Sequence, residues 1–301
     1  MDDSSLPSGP APTPVPSHAP EGIERAFIRL EEGQIHLRRL AAVDPSASPL
    51  LLLHASPASS WFMQNLMLAL RTAGVRGEIL APDTPGNGDS CAPAPDEPDI
   101  GYFADAMRRL LDAQGIATVD VYGTHTGARI ACEMAAAFPE RIRRVVLDGI
   151  TEYPDELREA VIANYAPVVE PDAYGRHLIW AFNFCRDQAL FFPHFMQQPQ
   201  NRLAVPIPPP EILHRITLDV LKSLDTYSKP YIAAFRYKAF ERMGRIGAPT
   251  LLLKPDSELE ILNRSVERAL EILGDGRAVS LAAGDAAKAA AMAHFLTGGD
   301  A

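Results

Sequence analysis

The chain has 301 residues, 47% of them hydrophobic and 22% charged, with a net charge of −10. This is the composition of a folded soluble protein with room for a sizeable core, not of a fibrous or disordered one. It lacks the basic footprint of a duplex-DNA binder. Its three cysteines, Cys91, Cys132 and Cys185, are too few and too scattered for a disulfide framework or a zinc site.

Six of the 27 prolines fall in residues 1–20, among serines and alanines, so residues 1–21 read as a disordered tail. That stretch has no basic segment followed by an apolar one, hence no secretory signal. No apolar run approaches the roughly 18 residues of a membrane span. The expectation is a cytoplasmic protein with a small-molecule substrate and no nucleic-acid or membrane partner. A homodimer through an exposed sheet edge is left open.

From residue 22 the pattern becomes regular. Phe27–Leu30 and Ile35–Leu40 alternate around Glu31-Glu32-Gly33-Gln34, which predicts an antiparallel hairpin. Leu50–Leu53 is a continuous apolar run, expected of a strand buried on both faces. Helical periodicity follows from Ser59 to Arg71. Glu78–Ala81 reads as a further buried strand, running into the turn-forming Pro82-Asp83-Thr84-Pro85-Gly86-Asn87-Gly88. A helix over Asp99–Gln114, a strand over Val119–Gly123, a helix over Thr126–Phe138 and a strand over Arg144–Asp148 complete the first half. This alternation predicts a mostly parallel sheet with helices on both faces, whose ligands bind beyond the carboxyl ends of the strands.

Residues 152–246 break the rhythm. They are rich in aromatics, poor in strand patterning, and interrupted by Pro206-Ile207-Pro208-Pro209-Pro210. They read as a helical cap insertion, with residues 22–151 and 247–301 forming the core. The aromatic side chains serve packing and are compatible with an apolar substrate pocket. The α/β rhythm resumes with a strand at Thr250–Leu253, a helix around Ser265–Ile272, a strand at Ala278–Leu281 and an Ala-rich helix from Ala286 to Leu296.

Gly123-Thr124-His125-Thr126-Gly127 lies between a strand and a helix. Glycines two before and two after the central residue allow a sharp, strained turn that lifts the central side chain above the sheet. Together with Leu50–Leu53 followed by His54-Ala55-Ser56-Pro57, and with Ala81–Ser90, this elbow resembles the α/β-hydrolase superfamily over residues 22–150 and 247–296. The resemblance implies the fold, not a substrate.

The departures from the family pattern matter for chemistry. The elbow residue, Ser, Asp or Cys in the family, is here His125. The position of the family's catalytic His, after the last strand, is held by Asp285, while His294 lies later in the terminal helix. The usual Ser-His-acid set is therefore missing. A histidine can still act as general base, and a carboxylate beside it can orient the ring and stabilise the imidazolium. Asp285 is the expected partner, in a His125–Asp285 dyad. The resemblance gives Glu258 as the acid-position residue, with Asp256 and Asp148 as alternatives. It also implies an oxyanion hole of the Thr126 amide and that of Ala55 or Ser56. His54, Trp180 and His194 are the further pocket candidates, with His54 also suited to anchoring its loop and His177 a weaker choice. Asp83 reads as a brace for its turn. With no HExxH, GxGxxG or P-loop, neither metal nor nucleotide cofactor is implied.

These residues point to a cofactor-independent enzyme acting on a small, mainly apolar carbonyl compound. Hydrolysis of an ester, thioester or lactone leads. Proton abstraction serving lysis or isomerisation, and ligand binding without turnover, are the alternatives.

Overall fold

The computed structural model describes residues 22–298; the expected tail at 1–21 lies outside them. Eight strands form one sheet: β1 (Ile23–Arg29), β2 (Gln34–Leu40), β3 (Leu50–Leu53), β4 (Ile79–Pro82), β5 (Val119–Thr124), β6 (Ile142–Asp148), β7 (Thr250–Pro255) and β8 (Gly276–Leu281). Their order across the sheet is β1-β2-β4-β3-β5-β6-β7-β8. The hairpin pairs antiparallel, with Phe27 opposite His36, and β2 runs antiparallel to β4. Every pairing from β4 to β8 is parallel.

The apolar runs explain the centre of this sheet. All four leucines of β3 are at most 1% exposed, because helices cover both faces; burying each such side chain contributes about 2 kcal/mol. On one face lie α2 (Ile100–Ala113) and α3 (Thr126–Ala137), which pack Phe103, Met107, Leu110, Ile130 and Met134 against Leu51, Leu53 and Val121. On the other face are α1 (Gln64–Thr72) and α10 (Asp285–Leu296), which pack Leu66, Met67, Leu70, Met292 and Phe295 against Leu50, Leu52 and Leu251. Asp99 caps α2, its carboxylate accepting from the Tyr102 N–H at 2.8 Å, as a side-chain oxygen at that position should.

The segment between β6 and β7 is helical: α4 (Asp155–Asn164), α5 (Arg176–Leu190), α6 (Pro210–Lys222), α7 (Ser228–Arg236) and α8 (Ala239–Met243), followed after β7 by α9 (Glu260–Ile272). It is not uniform. Tyr153, Tyr165, Phe184, Tyr227 and Tyr231 form a separate aromatic cluster. Ala233, Ala234, Phe240 and Met243, from α7 and α8, join the core against α3 instead. Polar ties fasten the segment over the strand ends. Ser59 Oγ donates to Asp219 at 2.7 Å, Thr226 Oγ1 donates to the Gly86 carbonyl at 2.9 Å, and Lys222 pairs with Asp89 at 2.6 Å. Among the described residues, no helix is long and apolar enough to cross a membrane.

Candidate active site

The turn joining β5 to α3 carries His125 in a conformation that few L-residues adopt, φ 50° and ψ −105°. Its neighbours leave the chain no alternative. A Cβ at Gly123 would overlap the Gly127 carbonyl, and one at Gly127 would overlap the Leu53 carbonyl. Only glycine lets strand and helix approach so closely. The imidazole consequently stands above the carboxyl ends of the strands, 43% exposed, in the position that an elbow gives its nucleophile.

The partner of that ring is Glu258. Its Oε2 lies 3.3 Å from His125 Nε2, and its Oε1 accepts from the Leu259 N–H at 2.8 Å. Burial pushes the Glu258 carboxyl up, but the His125 ring and the Leu259 amide outweigh it, and the group lies below the usual carboxylate value. Gly149 makes room for the pair. A Cβ there would come within 3.0 Å of both Glu258 Oε2 and His125 Cε1.

The other acid candidates lie elsewhere. The His125–Asp285 pairing expected from the sequence gives way to His125–Glu258. Asp285 opens α10 and its electrostatic neighbours are Lys288 and Asp148; burial raises its pKa, the Lys288 charge opposes this, and the Asp148 charge adds to it. The reason lies in the chain path. Gly284, at φ 112°, turns directly into α10, so Asp285 enters a helix whose next turn supplies Lys288. Asp148 is fully buried, accepting from Tyr122 Oη at 2.8 Å and Lys288 Nζ at 2.5 Å.

His125 and Glu258 line a pocket of about 280 Å³ whose other walls include Tyr153, Tyr165, Phe192, Tyr231 and Phe235. Ala55, Ser56 and Thr126 also line it, with Ser56 Oγ buried and unpartnered. The Thr126 amide opens α3, where helix N–H groups lack intrahelical acceptors and favour negative charge.

Three expected pocket residues serve packing instead. His54 is 1% exposed; its Nδ1–H donates to the Ala55 carbonyl at 2.7 Å and its Nε2 accepts from the Thr84 N–H at 3.0 Å. With both nitrogens used, it ties the loop after β3 to the loop after β4, and burial lowers its pKa. His194 bonds the Tyr165 carbonyl at 2.8 Å and meets Tyr165, Phe184 and Phe195 edge-on. Trp180 stacks on Phe184 at 4.8 Å within the aromatic cluster. His177 Nδ1 accepts from the Asp172 N–H at 3.2 Å. Asp83 braces its turn through Ser60 N–H, Asp89 N–H and His36 Nδ1 at 2.7 to 2.9 Å. His36, Asp83 and Asp89 could together offer three metal ligands. However, Arg25 donates to His36 Nε2, and Arg25 and Lys222 pair with Asp89, so those atoms are already engaged.

Sequence reasoning missed Gly149 and Arg129. Arg129 lies one turn into α3 and lines the pocket although it is 4% exposed. Its Nη1 donates to the His125 carbonyl at 3.0 Å and its Nη2 to the Thr151 carbonyl at 2.8 Å, while Nε has no partner. Burial lowers its pKa from the ordinary value. The available signal was an arginine set inside the apolar run Ala128–Cys132.

The model of the α/β hydrolase fold family matches residues 48–166. A 2-hydroxymuconate semialdehyde hydrolase of Pseudomonas sp. (strain CF600) is 33% identical over 135 residues, covering 45% of this chain and 42% of that protein. The chain thus spans less than half the length of this curated relative. Among solved structures, epoxide hydrolase A from Mycobacterium thermoresistibile superposes with a TM-score of 0.67 at 20% identity, covering 92% of this chain and 98% of that one. The enol-lactonase from Burkholderia xenovorans LB400 gives 0.61 at 17% identity, covering 90% and 97%. Sheet order, elbow and these likenesses agree: the chain has the α/β-hydrolase fold.

Proposed function

We propose that this protein is a cofactor-independent hydrolase of a small, mainly apolar ester, thioester or lactone, with His125 as general base. The observation that carries this reading is the contact of 3.3 Å between His125 Nε2 and Glu258 Oε2 in the lining of an aromatic-walled pocket. With Glu258 accepting the Nε2 proton, Nδ1 keeps its lone pair. A water between Nδ1 and the substrate carbonyl then loses its proton to the ring as its oxygen bonds to carbon. Glu258 stabilises the resulting imidazolium, as the acid of a triad does. The developing oxyanion is met by the amides of Thr126 and of Ala55 or Ser56, and the imidazolium returns its proton to the leaving oxygen or sulfur. The likeness to a relative named as a hydrolase supports the reaction class; the narrow pocket supports a small substrate.

The test is turnover of a panel of activated esters, thioesters and lactones by wild type and His125→Ala. General-base catalysis is worth roughly 10²- to 10⁴-fold, so the variant is expected to lose at least about 100-fold in kcat. Equal rates for both proteins, or no turnover by either, would remove hydrolysis through His125 and move proton abstraction without hydrolysis, or ligand binding without turnover, to the front.

A further inference from the structure

We propose that Arg129 forms an anion subsite in the lining of this pocket and that the ligand carries a carboxylate beside its apolar body. The inference rests on taking the pocket as the substrate site, and it deepens that reading by naming a substrate class.

The argument begins with the cost of a buried guanidinium. Arginine stays charged in proteins, and a charge removed from water is expensive unless an opposite charge meets it. Arg129 is 4% exposed, and among the described residues no carboxylate lies within ion-pairing distance of it. The groups bearing most on it are Tyr153, Tyr237 and Cys132. All three are neutral at neutral pH: burial raises both phenols, and Cys132 is pushed up to about 12. The acidic group that follows, Glu152, is committed through Oε1 to the Phe240 N–H at 2.6 Å.

The comparison with Arg38 sharpens the point. Arg38 is also buried, at 5% exposure, but the carboxylates of Asp83 and Asp219 bear on it, and its Nη1 donates to Ser60 Oγ at 2.6 Å. It is not among the residues that line this pocket. Nε lacks a partner in both arginines; Arg129 differs in that the groups meeting it, the His125 and Thr151 carbonyls and the Tyr153 hydroxyl, are all neutral, and in its place in the pocket lining. Those carbonyls fix the guanidinium plane without neutralising it. The remaining N–H donors match the planar, two-oxygen face of a carboxylate. Of the other charges lining the pocket, Glu258 is engaged by His125 and the Leu259 amide, so Arg129 is the cation that lacks a protein counter-charge. The aromatic walls suit a flat apolar body attached to that carboxylate.

The experiment compares two ligands of the same shape that differ in charge, benzoate and benzamide, by calorimetric titration of the full chain at constant pH and ionic strength. The readout needs no turnover, so it stands whether or not the hydrolysis panel succeeds. Wild type is expected to bind benzoate at least tenfold more tightly than benzamide. Arg129→Met is expected to erase that preference while retaining the wild-type near-UV circular dichroism. If Arg129→Met does not fold, Arg129→Lys takes its place and is expected to weaken benzoate at least fivefold more than benzamide. Equal affinity of wild type for the two ligands would overturn the proposal, as would no measurable benzoate binding, or a preference unchanged in the variant.

Discussion

Two carboxylates stand at the ends of neighbouring strands, yet their surroundings differ. Asp148 ends β6, is fully buried, and accepts from Tyr122 and Lys288. Glu258 follows β7, is 13% exposed, and meets the imidazole of His125 at the pocket. The resemblance drawn from the sequence offers either position for the acid. Here a lysine from α10 closes the first, and a glycine, Gly149, opens the second by leaving space beside the ring. A carboxylate at a strand end is therefore not enough: what the next helix sends back across the sheet decides whether it supports the fold or can support chemistry.

The largest effect should come from breaking the closed pair. Lys288→Met leaves the buried Asp148 carboxyl without its cation, with only the Tyr122 hydroxyl to meet it. Removing one partner of a buried pair costs about 3–5 kcal/mol, to be read in urea unfolding. The double variant Lys288→Met/Asp148→Asn removes the orphaned charge and should recover most of that loss. If Lys288→Met alone costs less than about 1 kcal/mol, the closed site is not a stability element. The open pair should respond the other way. Glu258→Gln keeps the shape but cannot stabilise an imidazolium, so kcat should fall by about 10- to 100-fold, or about 1.4–2.7 kcal/mol of barrier. Its stability cost should be small at neutral pH. The folded carboxyl has the lower pKa, so its stabilising contribution is present above the unfolded value and disappears as pH falls through the folded one. The gap between wild type and Glu258→Gln in thermal unfolding should therefore close in acid.

Much of this arrangement was legible in the sequence because it is local. The hairpin around Gly33, the apolar run Leu50–Leu53 and the glycine spacing around His125 each carry their structure within a few residues. Ala55 and Ser56, which the resemblance offers as oxyanion-loop residues, line the pocket. What failed depended on direction. Motif position places Asp285 in the right loop, but the turn at Gly284 and the helix after it set the side chain among Lys288 and Asp148. Aromatic content marks residues 152–246 without telling which rings face inward; Trp180 and His194 pack among their neighbours while Tyr153, Tyr231 and Phe235 line the cavity. Arg129 was hidden because an arginine inside a helix usually faces water.

A smaller perturbation tests the gap that Gly149 leaves. Gly149→Ala places a Cβ within 3.0 Å of both Glu258 Oε2 and His125 Cε1, at a residue with φ 73°. The backbone strain alone should cost about 1 kcal/mol. Because the displaced atoms belong to the proposed catalytic pair, kcat should also fall several-fold, with KM changed much less. A variant that loses stability but keeps wild-type kcat would mean that the His125–Glu258 contact does not set the rate.

The smallest effect is expected at Asp285, and it separates the two acids most directly. Burial, opposed by Lys288 and reinforced by Asp148, raises its pKa in the folded protein. The folded state therefore holds this proton more tightly than the unfolded chain does. Stability from this source is full below the unfolded carboxylate pKa and is lost as pH rises through the folded one. Asp285→Asn removes that penalty, so the variant should be slightly more stable than wild type at neutral pH, by less than about 1 kcal/mol, with the advantage vanishing in acid. Its kcat should stay within about twofold of wild type, since His125 takes its orientation from Glu258 across 3.3 Å. If Asp285→Asn instead abolished turnover while Glu258→Gln was active, the roles of the two carboxylates would be reversed. The elbow histidine would then work through the helix that opens at Asp285, and the contact with Glu258 would be an electrostatic neighbour of the site instead of its second member.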